Sequence, residues 1–263
     1  MRTTIRDLAR FKQEGRRFPV LTAYDYTTAS ILDEAGIPVL LVGDSLAQCM
    51  LGYETTLPVT VEDMLHHTRA VVRGTRQALV VADMPFGSYQ ASVGEGLETA
   101  VRFLKDGGAH AVKLEGPQRE LTQACVAAGI PVMCHLGLTP QSVHQMGGYR
   151  VQARSEEAAQ RLLADAMDLE KAGAFSLVLE GIPTAVARTV TAALTIPTIG
   201  IGAGPNCDGQ VLVVNDVLGL GSGTYPRFVK PYLDLRSLVT GAVRQFAAEV
   251  EQGVFPDADH SYS

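Results

Sequence analysis

The sequence predicts a (β/α)8 barrel, a TIM barrel, preceded by an extra N-terminal helix. Three observations carry that prediction. Eight short apolar runs recur along the 263 residues, each ending on a polar or glycine-bearing residue. Stretches with helical spacing lie between them. Four helix ends close on Ala-Gly or Gly-Gly directly before the next run, at Gly36, Gly108, Gly129 and Gly173. Continuous Val, Ile and Leu runs suit strands buried on both faces of a parallel sheet, and a glycine just past a helix is a common stop. An open doubly wound sheet is the alternative. It commonly uses fewer strands and carries GxGxxG after the first, which is absent here.

The elements follow in order. Residues 3–15 alternate charge with apolar side chains and read as a short helix that plugs the barrel bottom. The first run, PVLTAYD (19–25), leads to a helix ending at Gly36, and the second is PVLLVGDS (38–45). The helical stretch VEDMLHHTRAVVRGT (61–75) precedes ALVVADMP (78–85), and GEGLETAVRFLKDGG (94–108) precedes AVKLEG (111–116). RELTQACVAAG (119–129) leads to PVMCHLGL (131–138), and EEAAQRLLADAMDLEKAG (156–173) leads to SLVLEG (176–181). PTIGIGAG (197–204) and QVLVVNDVLGL (210–220) supply the last two strands. The whole chain, 1–263, reads as a single barrel domain. The polar stretch from about residue 252 reads as a loose tail.

With 46% hydrophobic residues the chain is not disordered over most of its length. A net charge of −6 leaves no basic surface in bulk, so nucleic acid is not an expected partner. No apolar run approaches the roughly 18 to 20 residues that span a bilayer. The start lacks the apolar stretch of a secretory signal, and the four cysteines, Cys49, Cys125, Cys134 and Cys207, form no CxxC pair. A cytoplasmic protein with reduced thiols is the expectation.

In a (β/α)8 barrel the carboxyl ends of the strands form the active face. The run ends place Asp44 and Ser45, Asp83, Lys113 and Glu115, His135, and Glu180 on that rim. Asp44, Asp83 and Glu115 together make a hard, all-oxygen set that suits Mg2+. For any one of them, an aspartate capping the next helix is the simpler reading. Lys113 and Glu115 are two apart and share a face of an extended strand. A buried ammonium there needs an anion, either Glu115 or a substrate carboxylate. His135 suits a neutral imidazole bonded to a carboxylate or carbonyl, although a lone strand-end histidine is more often structural. Glu180 closes the wholly apolar SLVL, a setting in which a carboxylate loses hydration and serves as general base or acid. An ion pair with Lys113 or an arginine is its structural alternative. The glycines of GIGAG suit either a phosphate cradle or a tight turn. His66 and His67 lie in a helical stretch and are expected on the outer surface, and His110 falls in the loop before the fourth strand.

The segments LTAYDYTTASILDEAGIPVLLVGDSL, LGYETTLPVTVEDMLHHTRAV, ALVVADMPFGSYQ, AVKLEG, CHLGLTPQSVHQMGGYRVQ, LVLEGIP, TIGIGAG and CDGQVLVVNDVLGL, collinear over about residues 3 to 235, resemble the ketopantoate hydroxymethyltransferase family. The resemblance implies transfer of a hydroxymethyl group from 5,10-methylenetetrahydrofolate to 3-methyl-2-oxobutanoate, giving 2-dehydropantoate in pantothenate synthesis, through a Mg2+-stabilised enolate. It also implies a homodecamer, a pentamer of dimers. Carried over, Asp44 and Asp83 match metal ligands, which also lie at the substrate, with Glu115 beside them through water. Ser45 and Lys113 match substrate contacts, His135 a histidine near the ketoacid, and Glu180 the base. Ala47-Gln48-Cys49-Met50 departs from the family pattern, where Gly-Met and apolar residues are expected.

Two rivals stand against this reading. A phosphoenolpyruvate mutase or isocitrate lyase relative shares the barrel, but the lyases carry a Lys-Lys-Cys-Gly-His loop that is absent here. A barrel that only binds ketoacid or folate would not need a base and a metal set together.

Overall fold

The computed structural model describes residues 2–221 and 224–262. The chain divides into two compact units, Met1–Val213 and Val214–Ser263. The first is a closed barrel in which all eight strands are parallel and each neighbours the next in sequence. They are β1 (Phe18–Thr22), β2 (Val39–Val42), β3 (Leu79–Asp83), β4 (Ala111–Glu115), β5 (Val132–Gly137), β6 (Ser176–Glu180), β7 (Thr198–Ile201) and β8 (Gly209–Leu212). The predicted fold class is therefore the one observed.

The helices of this unit are α1 (Ile5–Gln13), α2 (Tyr26–Glu34), the single turn α3 (Leu46–Cys49), α4 (Val61–Gly74), α5 (Val93–Lys105), α6 (Arg119–Ala127), α7 (Val143–Met146), α8 (Glu156–Lys171) and α9 (Thr184–Ala193). Their starts are set locally. Asp25, Thr60, Ser92 and Ser155 each accept from the backbone N–H three residues on, which satisfies one of the helix's unpaired donors. Asp25, the end of the first apolar run, is thus a cap for α2, and β1 stops before it.

Alternation along the strands sorts the interior into layers. The inward residues of the lower half are apolar: Phe18, Val20, Val39, Leu41, Leu79, Val81, Ala111, Met133, Val178, Ile199 and Val211 pack as one cluster. Leu8 and Phe11 of α1 belong to the same cluster and close the base, as the sequence predicts. Thr4 and Asp7 form a reciprocal cap that starts α1. Lys12 anchors it, its Nζ lying 2.9 Å from Asp208 Oδ2 and 2.9 Å from the Thr191 carbonyl.

A second fixture of the base is Asp33. Its buried carboxylate accepts from the backbone N–H groups of Arg76 (2.9 Å), Gln77 (2.9 Å) and Ala78 (2.7 Å), which joins the end of α2 to the entry of β3. Burial opposes the charge, but the three N–H donors and Arg2 outweigh it and hold the carboxyl below its ordinary range. A depressed folded pKa means stability that is complete above the unfolded value and lost as pH falls through the folded one. Asp33→Ala is expected to cost about 3 kcal/mol at neutral pH, since it orphans buried donors. The deficit should narrow on acidification. Urea unfolding of both forms across the acid range checks this, and a deficit independent of pH rejects the ionic account.

The second unit holds α10 (Val214–Val217) and α11 (Leu235–Glu251). The eighth apolar run was expected to be one strand over 210–220, but only Gly209–Leu212 is extended and the rest turns into α10. The polar pair Asn215-Asp216 interrupts the apolar run and lies in that helix. The tail also has contacts of its own. Phe255 lies 5.6 Å, ring to ring, from Phe246 and 5.7 Å from His260, and Asp257 caps the turn at Ala258–His260. Among the described residues no helix is long and apolar enough to cross a membrane.

Candidate active site

Above the apolar layer, the same inward row of the strands becomes charged. Register brings the residues together: Asp83 pairs with Lys113 across β3 and β4, Glu115 with His135 across β4 and β5, and Gly137 with Glu180 across β5 and β6. Lys113 and Glu115 do share the interior face. Gly137 has a left-handed φ of 97°, and a Cβ there would strike the Glu180 carbonyl, so glycine lets the β5 end lie against β6.

The principal partner of Lys113 is Asp83, not Glu115. Nζ lies 2.7 Å from Asp83 Oδ1 and 3.6 Å from Glu115 Oε1. Burial favours the neutral amine, yet Asp83, Glu115 and Asp44 surround it and push its pKa above the ordinary lysine value. Burial lifts Asp83 even beside this ammonium; the short contact marks an ion pair all the same. Asp83 Oδ2 accepts from the Asp44 backbone N–H at 3.0 Å.

Asp44 does not cap α3. Its Oδ2 accepts from Gln141 Nε2 at 3.0 Å, and burial with the fields of Glu115 and Asp83 raises its carboxyl well above the usual range. Glu115 is also buried, but Lys113, His135 and the Gln141 backbone N–H hold it below that range. Ser45 is the residue before α3, and its Oγ lies 2.8 Å from the hydroxyl of the buried Tyr24. The atypical stretch 47–50 forms α3 and its C-cap; Ala47 is buried and Gln48 Nε2 donates to the Glu54 carbonyl at 3.0 Å.

His135 lies between two carboxylates, with Nδ1 3.4 Å from Glu115 Oε1 and Nε2 3.3 Å from Glu180 Oε2. Neither contact has good hydrogen-bond geometry. Burial and Lys113 pull its pKa down, but the two carboxylates outweigh them and push it up to about 9. A carboxylate thus faces each nitrogen, which favours the charged form of the ring. Glu180 is the most open member, its side chain 16% exposed, and His135 rather than a lysine or arginine is its partner.

Other expectations resolve more simply. In GIGAG, a Cβ at Gly204 (φ 78°) would collide with Thr184, so this glycine serves a close turn. His66 is exposed, while His67 Nδ1 lies 2.6 Å from the Tyr24 carbonyl. His110 Nδ1 accepts from the Val80 N–H at 3.0 Å, and burial lowers its pKa to about 4. Sequence reasoning missed three uncharged residues of the site, Tyr24, Tyr89 and Gln141. Each lies inside a segment that carries the family resemblance, which was the available signal. Tyr89 Oη donates to Gln141 Oε1 at 2.6 Å and accepts from the Glu115 backbone N–H at 3.2 Å. Among the described residues no three His, Cys, Asp or Glu side chains converge as ligands of one metal ion. Asp44, Asp83 and Glu115, the carboxylates expected at a metal, are all buried at the top of the barrel.

The 3-methyl-2-oxobutanoate hydroxymethyltransferase of Thermobifida fusca is 58% identical over 100% of this chain and 94% of its own length. That of Syntrophus aciditrophicus is 57% identical over 95% of this chain and 93% of its own. The solved structure of 2,3-dimethylmalate lyase, a member of the PEP mutase/isocitrate lyase superfamily, shares the fold with a TM-score of 0.59. It is 18% identical and the match covers 100% of this chain and 92% of that one. The family model described as ketopantoate hydroxymethyltransferase matches residues 2–258, and with these relatives it shows that the chain belongs to the ketopantoate hydroxymethyltransferase family.

Proposed function

We propose that the chain transfers a hydroxymethyl group from 5,10-methylenetetrahydrofolate to 3-methyl-2-oxobutanoate, forming 2-dehydropantoate for pantothenate synthesis, with Mg2+ as its cofactor. The observation that carries this reading is the charged layer itself: Asp44, Asp83 and Glu115 buried about Lys113, with Glu180 at the open edge beside His135. The donor set fits Mg2+, which takes one or two carboxylates and completes its shell with water and substrate oxygens. Burial, ahead of the fields of Glu115 and Asp83, raises the Asp44 carboxyl, and a cation bound there would favour its ionised form. Asp44 and Asp83 would hold the ion, with Glu115 acting through water. When bound, Mg2+ supplies Lewis-acid polarisation of the ketoacid oxygens, which lowers the cost of removing the C3 proton.

The chain's own residues do the rest. Lys113 keeps Asp83 ionised and presents positive charge to the ketoacid carboxylate, which fixes its position. Ser45, held by Tyr24, offers a hydroxyl to the same substrate. Glu180 takes the C3 proton through its carboxylate, with His135 Nε2 3.3 Å from Oε2. C3 then bonds to the one-carbon unit of the folate. In the net reaction a C3–H bond is replaced by C3–CH2OH, water supplies the hydroxyl, and tetrahydrofolate leaves. No protein nucleophile is required, so no cysteine has a covalent role.

Proton NMR of 3-methyl-2-oxobutanoate in D2O with protein and Mg2+ tests the reading. The C3 proton signal is expected to disappear, and EDTA or Glu180→Gln should prevent its loss. Retention of the signal even after tetrahydrofolate is added rejects the ketoacid assignment. The reading includes a cytoplasmic homodecamer. The exposed Leu238, Val243 and Phe246 of α11 support self-association. Light scattering at the mass of a decamer of the 28.0 kDa chain, and fractionation with cytoplasmic markers, are the corresponding checks.

A further inference from the structure

Gln141 lies in the 3-10 turn Pro140–Ser142 that follows β5 and is buried. It carries no charge, yet it hydrogen-bonds two of the buried carboxylates, Asp44 and Glu115. Its backbone N–H donates to Glu115 Oε2 at 3.0 Å. Its Nε2 donates to Asp44 Oδ2 at 3.0 Å and to the Met84 carbonyl at 2.9 Å. Its Oε1 accepts from Tyr89 Oη at 2.6 Å and from Gln90 Nε2 at 3.2 Å. The orientation of the amide is determined by these partners. The Met84 carbonyl can only accept, so the nitrogen must face it, and the oxygen is left for the hydroxyl of Tyr89.

One side chain therefore joins the loops after β2, β3 and β5, and its main chain reaches the end of β4. Charge explains why an amide suits this place. A lysine or arginine beside Asp44 would compete with a divalent cation, and a glutamate would bring no donor and a further negative charge. An amide donates without neutralising the carboxylate. It fixes the rotation of Asp44 and leaves its charge for the ion.

We propose that Gln141, braced by Tyr89, is a positioning residue that sets the divalent-cation affinity of the site by orienting the Asp44 and Glu115 carboxylates. The inference rests on the Mg2+ part of the function proposed above. Mn2+ titration of the full chain, followed by electron paramagnetic resonance of free Mn2+ without ketoacid or folate, tests it. The unmutated chain is expected to bind Mn2+, and Asp44→Asn to lose it. Gln141→Met keeps the length and bulk of the side chain without its amide and should weaken binding about 10–100-fold. Tyr89→Phe should weaken it in the same direction by less, with the thermal unfolding midpoint held. Excess Mn2+ should restore occupancy in both.

Wild-type affinity in Gln141→Met, alongside loss in Asp44→Asn, overturns the positioning role and leaves the metal reading standing. If Gln141→Met does not fold, Tyr89→Phe decides, and unchanged affinity there overturns the role equally. No Mn2+ binding by the unmutated chain overturns both.

Discussion

Lys113→Met is expected to destabilise the folded chain by about 3–5 kcal/mol near neutral pH, the range for breaking a buried ion pair by removing one partner. The substitution fills most of the side-chain volume, so the loss is electrostatic. Asp83 would keep only the Asp44 N–H, and Glu115 and Asp44 would lose the cation they share. Removing that charge raises the folded pKa of each of the three buried carboxylates, since Lys113 lowers all three. Such groups disfavour the folded state most at high pH, and the penalty is relieved as protons bind. The deficit relative to the unmutated chain should therefore be largest near neutral pH and shrink on acidification. Urea unfolding of both forms at two pH values measures it. A deficit under about 1 kcal/mol, or one that grows as pH falls, contradicts a structural role for the pair.

Glu180→Gln is expected to lower turnover about 10^2–10^4-fold, the usual contribution of a positioned general base. Stability should change little, because Glu180 is the most open of the set and its contact with His135 is long and poorly aligned. Ketoacid and Mg2+ binding should persist, since Asp44, Asp83 and Lys113 are untouched. The loss should therefore fall on kcat, with KM nearly unchanged. Steady-state kinetics with saturating folate donor separates the two constants. Turnover within a few-fold of the unmutated chain excludes Glu180 as the base.

Much of this site was legible before any coordinates. Charges at the ends of apolar strands are conspicuous, because a carboxylate or ammonium closing a run such as SLVL or AV needs a partner or a purpose. Period-two alternation was enough to place Lys113 and Glu115 on one face. Which carboxylate Lys113 would meet was not legible, since that depends on the register between β3 and β4, and register is a property of two strands. The protonation of His135 was hidden for the same reason: its pKa depends on Glu115 and Glu180, far from it in the chain. Gln141 and Tyr89 escaped because neutral side chains carry no signature until their partners are known. The eighth run misled because the apolar residues on either side of Asn215-Asp216 were read as one strand, whereas that polar pair lies in α10.

The seal formed by Leu8 and Phe11 makes the barrel a cup with a single mouth rather than a pipe. Water has no route to the charged layer from below, so solvent and reactants share one doorway. A ketoacid seated there, with a second substrate above it, would be a stopper as well as a reactant. A proton taken from it by Glu180 would leave by the same mouth, where that side chain is 16% exposed. A short helix at the base of the barrel thus bears on which atoms can exchange with bulk solvent during turnover.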